Sequence, residues 1–192
     1  PTGGFIKVNG EDSKRVDLGA WRSQIGYVSQ ESIIFDDTIG NNICCWEENY
    51  FENGHVSEKV LHATAQANLT EFVSKLPNGF DTQVGEKGLK LSGGQRQRLF
   101  IARELYRRPK MLILDEATSS LDSKSEMQIQ ESIDKLHGEL TLVIIAHRIS
   151  TIRRVDNVYV LKNGAIEEEG TFEDLRSNKN SILSGLIATQ SL

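Results

Sequence analysis

The sequence predicts an α/β fold built on a parallel core sheet, and three stretches carry that prediction. "MLILDE" (residues 111–116) is an apolar run of strand length, "SKSEMQIQESIDKLHG" (123–138) has helical spacing ended by Gly138, and "TLVIIAH" (141–147) is a second apolar run. A strand, a helix and a strand at this spacing form a crossover unit, so the two strands lie parallel with both sheet faces covered. At 192 residues the chain is long enough for one domain with a single core.

The remaining elements follow in chain order. "GGFIKVNGE" reads as a strand entering a turn at Asn9 and Gly10, and "IGYVSQ" (25–30) as a short strand ending in a polar loop. Residues 31–56 are mixed in composition, with a short helix at "TIGNNI". From Ser57 to Lys75 the pattern is that of one helix, with Val60, Leu61, Leu69, Phe72, Val73 and then Leu76 as its apolar positions. "PNGFDTQVGEKG" breaks into turns before a strong helix from Ser92 to about Arg107. "NVYVLKNGAIEEEG" is a hairpin turning at Asn163-Gly164, and the last twenty or so residues read as peripheral helix. No repeat, low-complexity tract or linker divides the chain, which gives one domain over 1–192 with a helical subdomain at about 45–108.

Composition narrows the function classes. The chain is 38% hydrophobic and 26% charged, as in an ordinary globular protein, and its net charge of −5 gives no general attraction to nucleic acid or an anionic membrane. Its longest apolar runs, "MLIL" and "LVIIA", are far shorter than the ~18 residues of a membrane span. No signal-peptide pattern is present. Cys44 and Cys45 are adjacent and form neither a disulfide framework nor a CxxC pair, so both read as reduced, structural thiols.

Two places carry chemistry. The stretch "KLSGGQRQR" opens a helix with Ser92 as N-cap and Gln95 closing a capping box. Yet Gly93 and Gly94 fill its first positions, where each costs up to about 1 kcal/mol relative to alanine. Either the turn is loose or something approaches that backbone closely. The second place is the carboxyl edge of the parallel sheet, where ligands bind in such folds. Strands end there in Gln30, in the pair Asp115-Glu116, and in His147. A carboxylate after four apolar residues can hold a hydrated Mg²⁺, and the next can orient or deprotonate an attacking water. An acidic strand end leading into a helix cap is the plainer account of the pair, and a structural loop residue that of His147.

Taken together, "LSGGQRQRLFIARELYRRPKMLILDEATSSLD" and "IAHRIST" resemble the nucleotide-binding domain of ATP-binding cassette (ABC) transporters, a P-loop NTPase-like fold with a helical signature subdomain and a peripheral hairpin. In that resemblance "LSGGQ" is the signature motif, "MLILDE" the Walker B strand, "SSLD" (119–122) the D-loop, His147 the switch histidine and Gln30 the Q-loop glutamine. "FDDTIGNNI" and "GFDTQVGEKGLKLSGGQRQR" resemble the exporter branch, in which Glu86 falls in the segment that touches the membrane domain; a solvated turn is the alternative for Glu86. The resemblance implies ATP and Mg²⁺ as ligands, with Asp115 and Gln30 helping to hold the metal, Glu116 polarising the water and His147 contacting the terminal phosphate. It also implies a second nucleotide-binding domain, identical or different, with Asp122 coupling the two. Ser92, Gly93, Gly94 and Gln95 then face ATP held by that partner, and the absent side chains make room for its phosphate. A transmembrane domain on the same polypeptide and a place at the cytoplasmic face of a membrane complete the implied setting, with no nucleic acid partner.

One family motif is missing. No Gly-Lys dipeptide occurs anywhere, so the GxxxxGK[ST] phosphate loop is absent. The expectation is a fragment cut after the phosphate-loop helix, inactive alone, whose longer parent hydrolyses ATP. A non-catalytic module that lends only its signature helix to another subunit is the alternative. A DNA-acting ABC ATPase ranks below both, because no sustained heptad run and no basic patch are present.

Overall fold

The apolar stretches of the sequence become a small parallel sheet and the helices that pack on it. The computed structural model describes residues 3–29, 32–47, 49–52, 55–117, 121–146 and 148–190. It forms two compact units, one up to Ile145 and one from Ala146.

The first unit opens with a narrow antiparallel hairpin, β1 (Lys7–Val8) and β2 (Glu11–Asp12), around Asn9 and Gly10. Helix α1 (Leu18–Arg22) starts at Asp17, whose carboxylate accepts from the amides of Gly19 and Ala20, and leads into β3 (Ile25–Val28). The short helix expected at "TIGNNI" is α2 (Ile39–Cys44), capped by Thr38. It lies against the Tyr50 ring, whose atoms sit 2.4–2.5 Å from where a Cβ on Gly40 would be. Strands β4 (Phe51–Glu52) and β5 (His55–Val56) pair antiparallel before the helical region.

The single helix expected over 57–75 is two, α3 (Glu58–Gln66) and α4 (Thr70–Ser74). The break falls at Asn68, which turns through φ 56°, a left-handed conformation that asparagine tolerates better than most residues. The corner drops Leu69 into the core at 1% exposure, while Leu61, expected inside, faces solvent. Next come α5 (Gly93–Tyr106), β6 (Met111–Asp115), α6 (Ser123–Leu136) and β7 (Thr141–Ile145), close to the sequence expectation.

Strands β3, β6 and β7 form one parallel sheet with β6 in the centre, and Tyr27 pairs with Ile113, which pairs with Val143. One face is covered, completely at β3 and β6 and partly at β7. Val28, Leu112 and Leu114 join Leu99 and Leu105 of α5 and Ile129, Ile133 and Leu136 of α6 in one core, with Leu142 and Ile144 packed against it. The other face departs from expectation. Tyr27 (50%), Val143 (40%) and Ile145 (47%) remain exposed, because α5 and α6 send their apolar residues to the same side of the sheet.

In the second unit, α7 (Ile149–Ile152) precedes the hairpin β8 (Val158–Lys162) and β9 (Ala165–Gly170). Asn163 and Gly164 both take positive φ (52° and 80°), as a tight two-residue turn requires. Helices α8 (Phe172–Ser177) and α9 (Ile182–Gln190) follow, around a small core of Val158, Phe172, Leu175 and Leu183. The Glu168 carboxylate accepts from the Ser181 hydroxyl (2.8 Å) and the amides of Ile182 (2.6 Å) and Leu183 (3.3 Å), which fixes the start of α9. No described helix is long and apolar enough to cross a membrane.

Candidate functional site

The start of α5 has the geometry that its sequence predicts. Ser92 Oγ accepts from the Gln95 amide (3.2 Å), and Gln95 Oε1 accepts from the Ser92 amide (2.8 Å), so both halves of the capping box form. The amides of Gly93 and Gly94 belong to the first turn, which has no intrahelical acceptor to offer them. Such a turn carries a partial positive charge and suits an anion.

The two glycines nevertheless have different reasons to be bare. A Cβ on Gly94 would lie 2.5 Å from both Cβ and Oγ of Ser125, on α6. The room left by the missing side chain at Gly94 is therefore used by this chain's own helix α6. At Gly93 the nearest atom to a Cβ is the movable end of Leu121, at 3.2 Å. Gly93 is half-buried and Ser92 exposed, so these two remain approachable from outside.

The arginines along α5 are structural. Arg96 donates to the Leu91 carbonyl (2.8 Å). Buried Arg98 donates to the carbonyls of Gly94 (3.3 Å) and Asn68 (3.1 Å), which ties the corner between α3 and α4 to the signature turn. Arg103 donates to the Asn42 carbonyl (2.7 Å), to Asn42 Oδ1 (2.9 Å) and to the Ile33 carbonyl (2.7 Å).

Asp115 ends the central strand, and its Oδ2 accepts from the Tyr27 hydroxyl at 2.8 Å. That bond, reinforced by desolvation and by the carboxylate charge, holds the Tyr27 pKa above its ordinary value. Glu116 extends the sheet by one more bond, its amide donating to the Ile145 carbonyl (3.0 Å), while its backbone turns to φ 51°. No cluster of three or more His, Cys, Asp or Glu side chains gathers among the described residues. Hard oxygen donors in small number fit Mg²⁺, which keeps several waters and takes one or two carboxylates beside substrate phosphates. They do not make a protein cage for Ca²⁺ or Zn²⁺.

Asp122 caps α6. Its Oδ1 accepts from the amides of Lys124 (3.1 Å) and Ser125 (3.0 Å), and its Oδ2 from the Ser125 hydroxyl (2.8 Å). The Ser125 amide foremost, then its hydroxyl, holds the Asp122 carboxyl below the usual range. Ser125 thus touches Asp122 on one side and the bare Gly94 on the other, and so joins the two helix starts. Gln30 and His147 lie outside the described residues, as does the Ser119-Ser120 part of the D-loop.

Sequence reading missed Tyr27 and Ser125. For Tyr27 a signal existed: in-register pairing puts Tyr27, Ile113 and Asp115 on the same face by the two-residue period of strands. For Ser125 there was none, because its role depends on how α5 and α6 cross.

Residues 1–119 match the family model described as ABC transporter. The chain is 45% identical over 193 residues to the ABC-type transporter kk1G of Curvularia clavata, covering 98% of this chain and 14% of that protein. It is 46% identical over 178 residues to the ATP-dependent lipid A-core flippase of Syntrophus aciditrophicus, covering 93% of this chain and 29% of that protein. A solved bacterial Atm1-family ABC exporter with ATP bound aligns with a TM-score of 0.84 at 37% identity, over 99% of this chain and 32% of that one. The chain thus spans 14% to 29% of the length of these two relatives. With sequence and fold in agreement over nearly its whole length, the chain belongs to the ABC transporter family, as a nucleotide-binding domain of the exporter type.

Proposed function

We propose that this chain belongs to an ATP-hydrolysing domain that drives transport through a membrane domain on the same polypeptide, at the cytoplasmic face of the membrane. The observation that carries the reading is the carboxylate pair Asp115-Glu116 at the carboxyl end of the central strand of a parallel sheet, in a chain of this family. Asp115, with Gln30, would hold Mg²⁺, which when bound neutralises phosphate charge. Glu116 orients the attacking water and accepts its proton, and His147 contacts the terminal phosphate. Ser92, Gly93, Gly94 and Gln95 offer the capped start of α5 to ATP held by a second such domain, and the bare Gly94 also lets α6 pack close. Asp122 couples the two domains through the helix that it caps. The segment around Glu86, a tight turn at Glu86–Gly88, faces the membrane domain.

Without a GxxxxGK[ST] loop, residues 1–192 alone do not hold the phosphates of their own ATP, and Mg-ATP turnover by this chain in isolation is expected to be nil. In the complete polypeptide, Glu116→Gln is expected to lower turnover by at least about a hundredfold while ATP stays bound. Near-normal turnover of that variant would overturn the assignment. The missing loop also favours a second reading, a module that lends its signature turn to another subunit. That reading is the correct one if the wild-type polypeptide binds ATP only when paired with a complete domain.

A further inference from the structure

Tyr27 opens the "YVSQ" stretch that ends in Gln30, and the resemblance gives it no role of its own, yet it is the described residue whose side chain bonds the Asp115 carboxylate. Its own position is set from two directions. Strand pairing places it beside Ile113 on the face that carries Asp115. From the opposite side, Glu104 on α5 accepts a hydrogen bond from the Tyr27 amide (3.2 Å). Helix α5 reaches that close because residue 26 is glycine, where a Cβ would come within 3.1 Å of Glu104 Cβ and 2.9 Å of Leu112 Cδ1. The phenol occupies one acceptor site of Asp115 Oδ2. A carboxylate offers about four such sites, so it can still bind a metal or its waters.

We infer that Tyr27 is a positioning residue for Asp115: its hydroxyl holds the carboxylate in one conformation for Mg²⁺-nucleotide, and Glu104 holds Tyr27 in place through its backbone. The inference rests on the role given to Asp115 above. A partly buried aspartate at a strand end that is already hydrogen-bonded loses less freedom when a metal arrives. Partners that orient a ligating group typically change metal affinity by about 10–100-fold when removed.

The test uses Mn²⁺ as the probe, in the complete polypeptide with ATP present, reading free Mn²⁺ by electron paramagnetic resonance. Tyr27→Phe is expected to weaken Mn²⁺ binding about tenfold and to raise the metal concentration for half-maximal turnover by a similar factor. The KM for ATP at saturating metal and the melting temperature should stay as in the wild type. A general structural defect would move all of these together and would overturn the inference. Unchanged Mn²⁺ affinity in Tyr27→Phe, alongside weakened affinity in Asp115→Asn, overturns the role of Tyr27 and leaves that of Asp115 standing. Unchanged affinity in Asp115→Asn removes the metal role of Asp115 and this inference with it.

Discussion

Replacing Gly94 by alanine separates the structural reason for the signature glycines from the functional one. The new Cβ would sit 2.5 Å from Ser125 Cβ and 3.4 Å from its Cα, so no rotation of the serine side chain relieves the contact. Either α5 and α6 move apart or the helix start distorts, an overpacking cost of about 1–3 kcal/mol. Alanine returns part of that through its better helix propensity, up to about 1 kcal/mol. The net loss is about 1–2 kcal/mol, or about 3–6 °C in melting temperature for a chain of this size. Gly93→Ala meets only the movable end of Leu121 and is expected to leave stability unchanged or raise it by about 0.5 kcal/mol. Thermal and urea melts of both variants followed by circular dichroism, together with Gly94→Ala/Ser125→Gly, complete the assay. Because Ser125→Gly removes the clashing atoms, the double variant should show a favourable coupling of about 1 kcal/mol or more. Equal stability of Gly94→Ala and Gly93→Ala would refute the claim that α6 sets the requirement at residue 94.

Two further outcomes follow from the side-chain bonds. The Asp122 carboxyl titrates below its unfolded value, so its contribution is full above about pH 4 and fades as pH falls through the lower, folded pKa. The difference in melting temperature between wild type and Asp122→Asn should therefore shrink on acidification, and a difference that is constant down to pH 2 would exclude this source. Arg103→Lys places one ammonium where a guanidinium makes three bonds across α2 and the Ile33 carbonyl. A loss of about 2 kcal/mol is expected, as a lower urea midpoint at unchanged slope, and a variant as stable as wild type would contradict it.

What the sequence made legible was what is decided locally. The capping box at Ser92 and Gln95 needs only residues three apart, and the Asn163-Gly164 turn needs only its own two residues. The strands β6 and β7 announced themselves as apolar runs, and the crossover rule made them parallel. The break at Asn68 was hidden because apolar spacing continues across it, while the pull comes from Arg98 on another helix. The open sheet face was hidden for a related reason. An apolar run such as "LVIIA" reports that a strand is sticky, and the number of helices that cover it depends on where α5 and α6 point. At the candidate site, residue types gave the carboxylates, but the bond from Tyr27 and the crowding at Gly94 required strand register and helix crossing.

The left-handed backbone at Glu116 has a consequence for how this position tolerates change. A side chain there carries a conformational penalty of about 1 kcal/mol that glycine would not. If Glu116 acts as proposed, robustness and throughput pull in opposite directions at one residue: the replacement that best relaxes the chain is the one that discards the carboxylate. On the role proposed for Glu116, drift toward a tougher protein would run through loss of that carboxylate's chemistry.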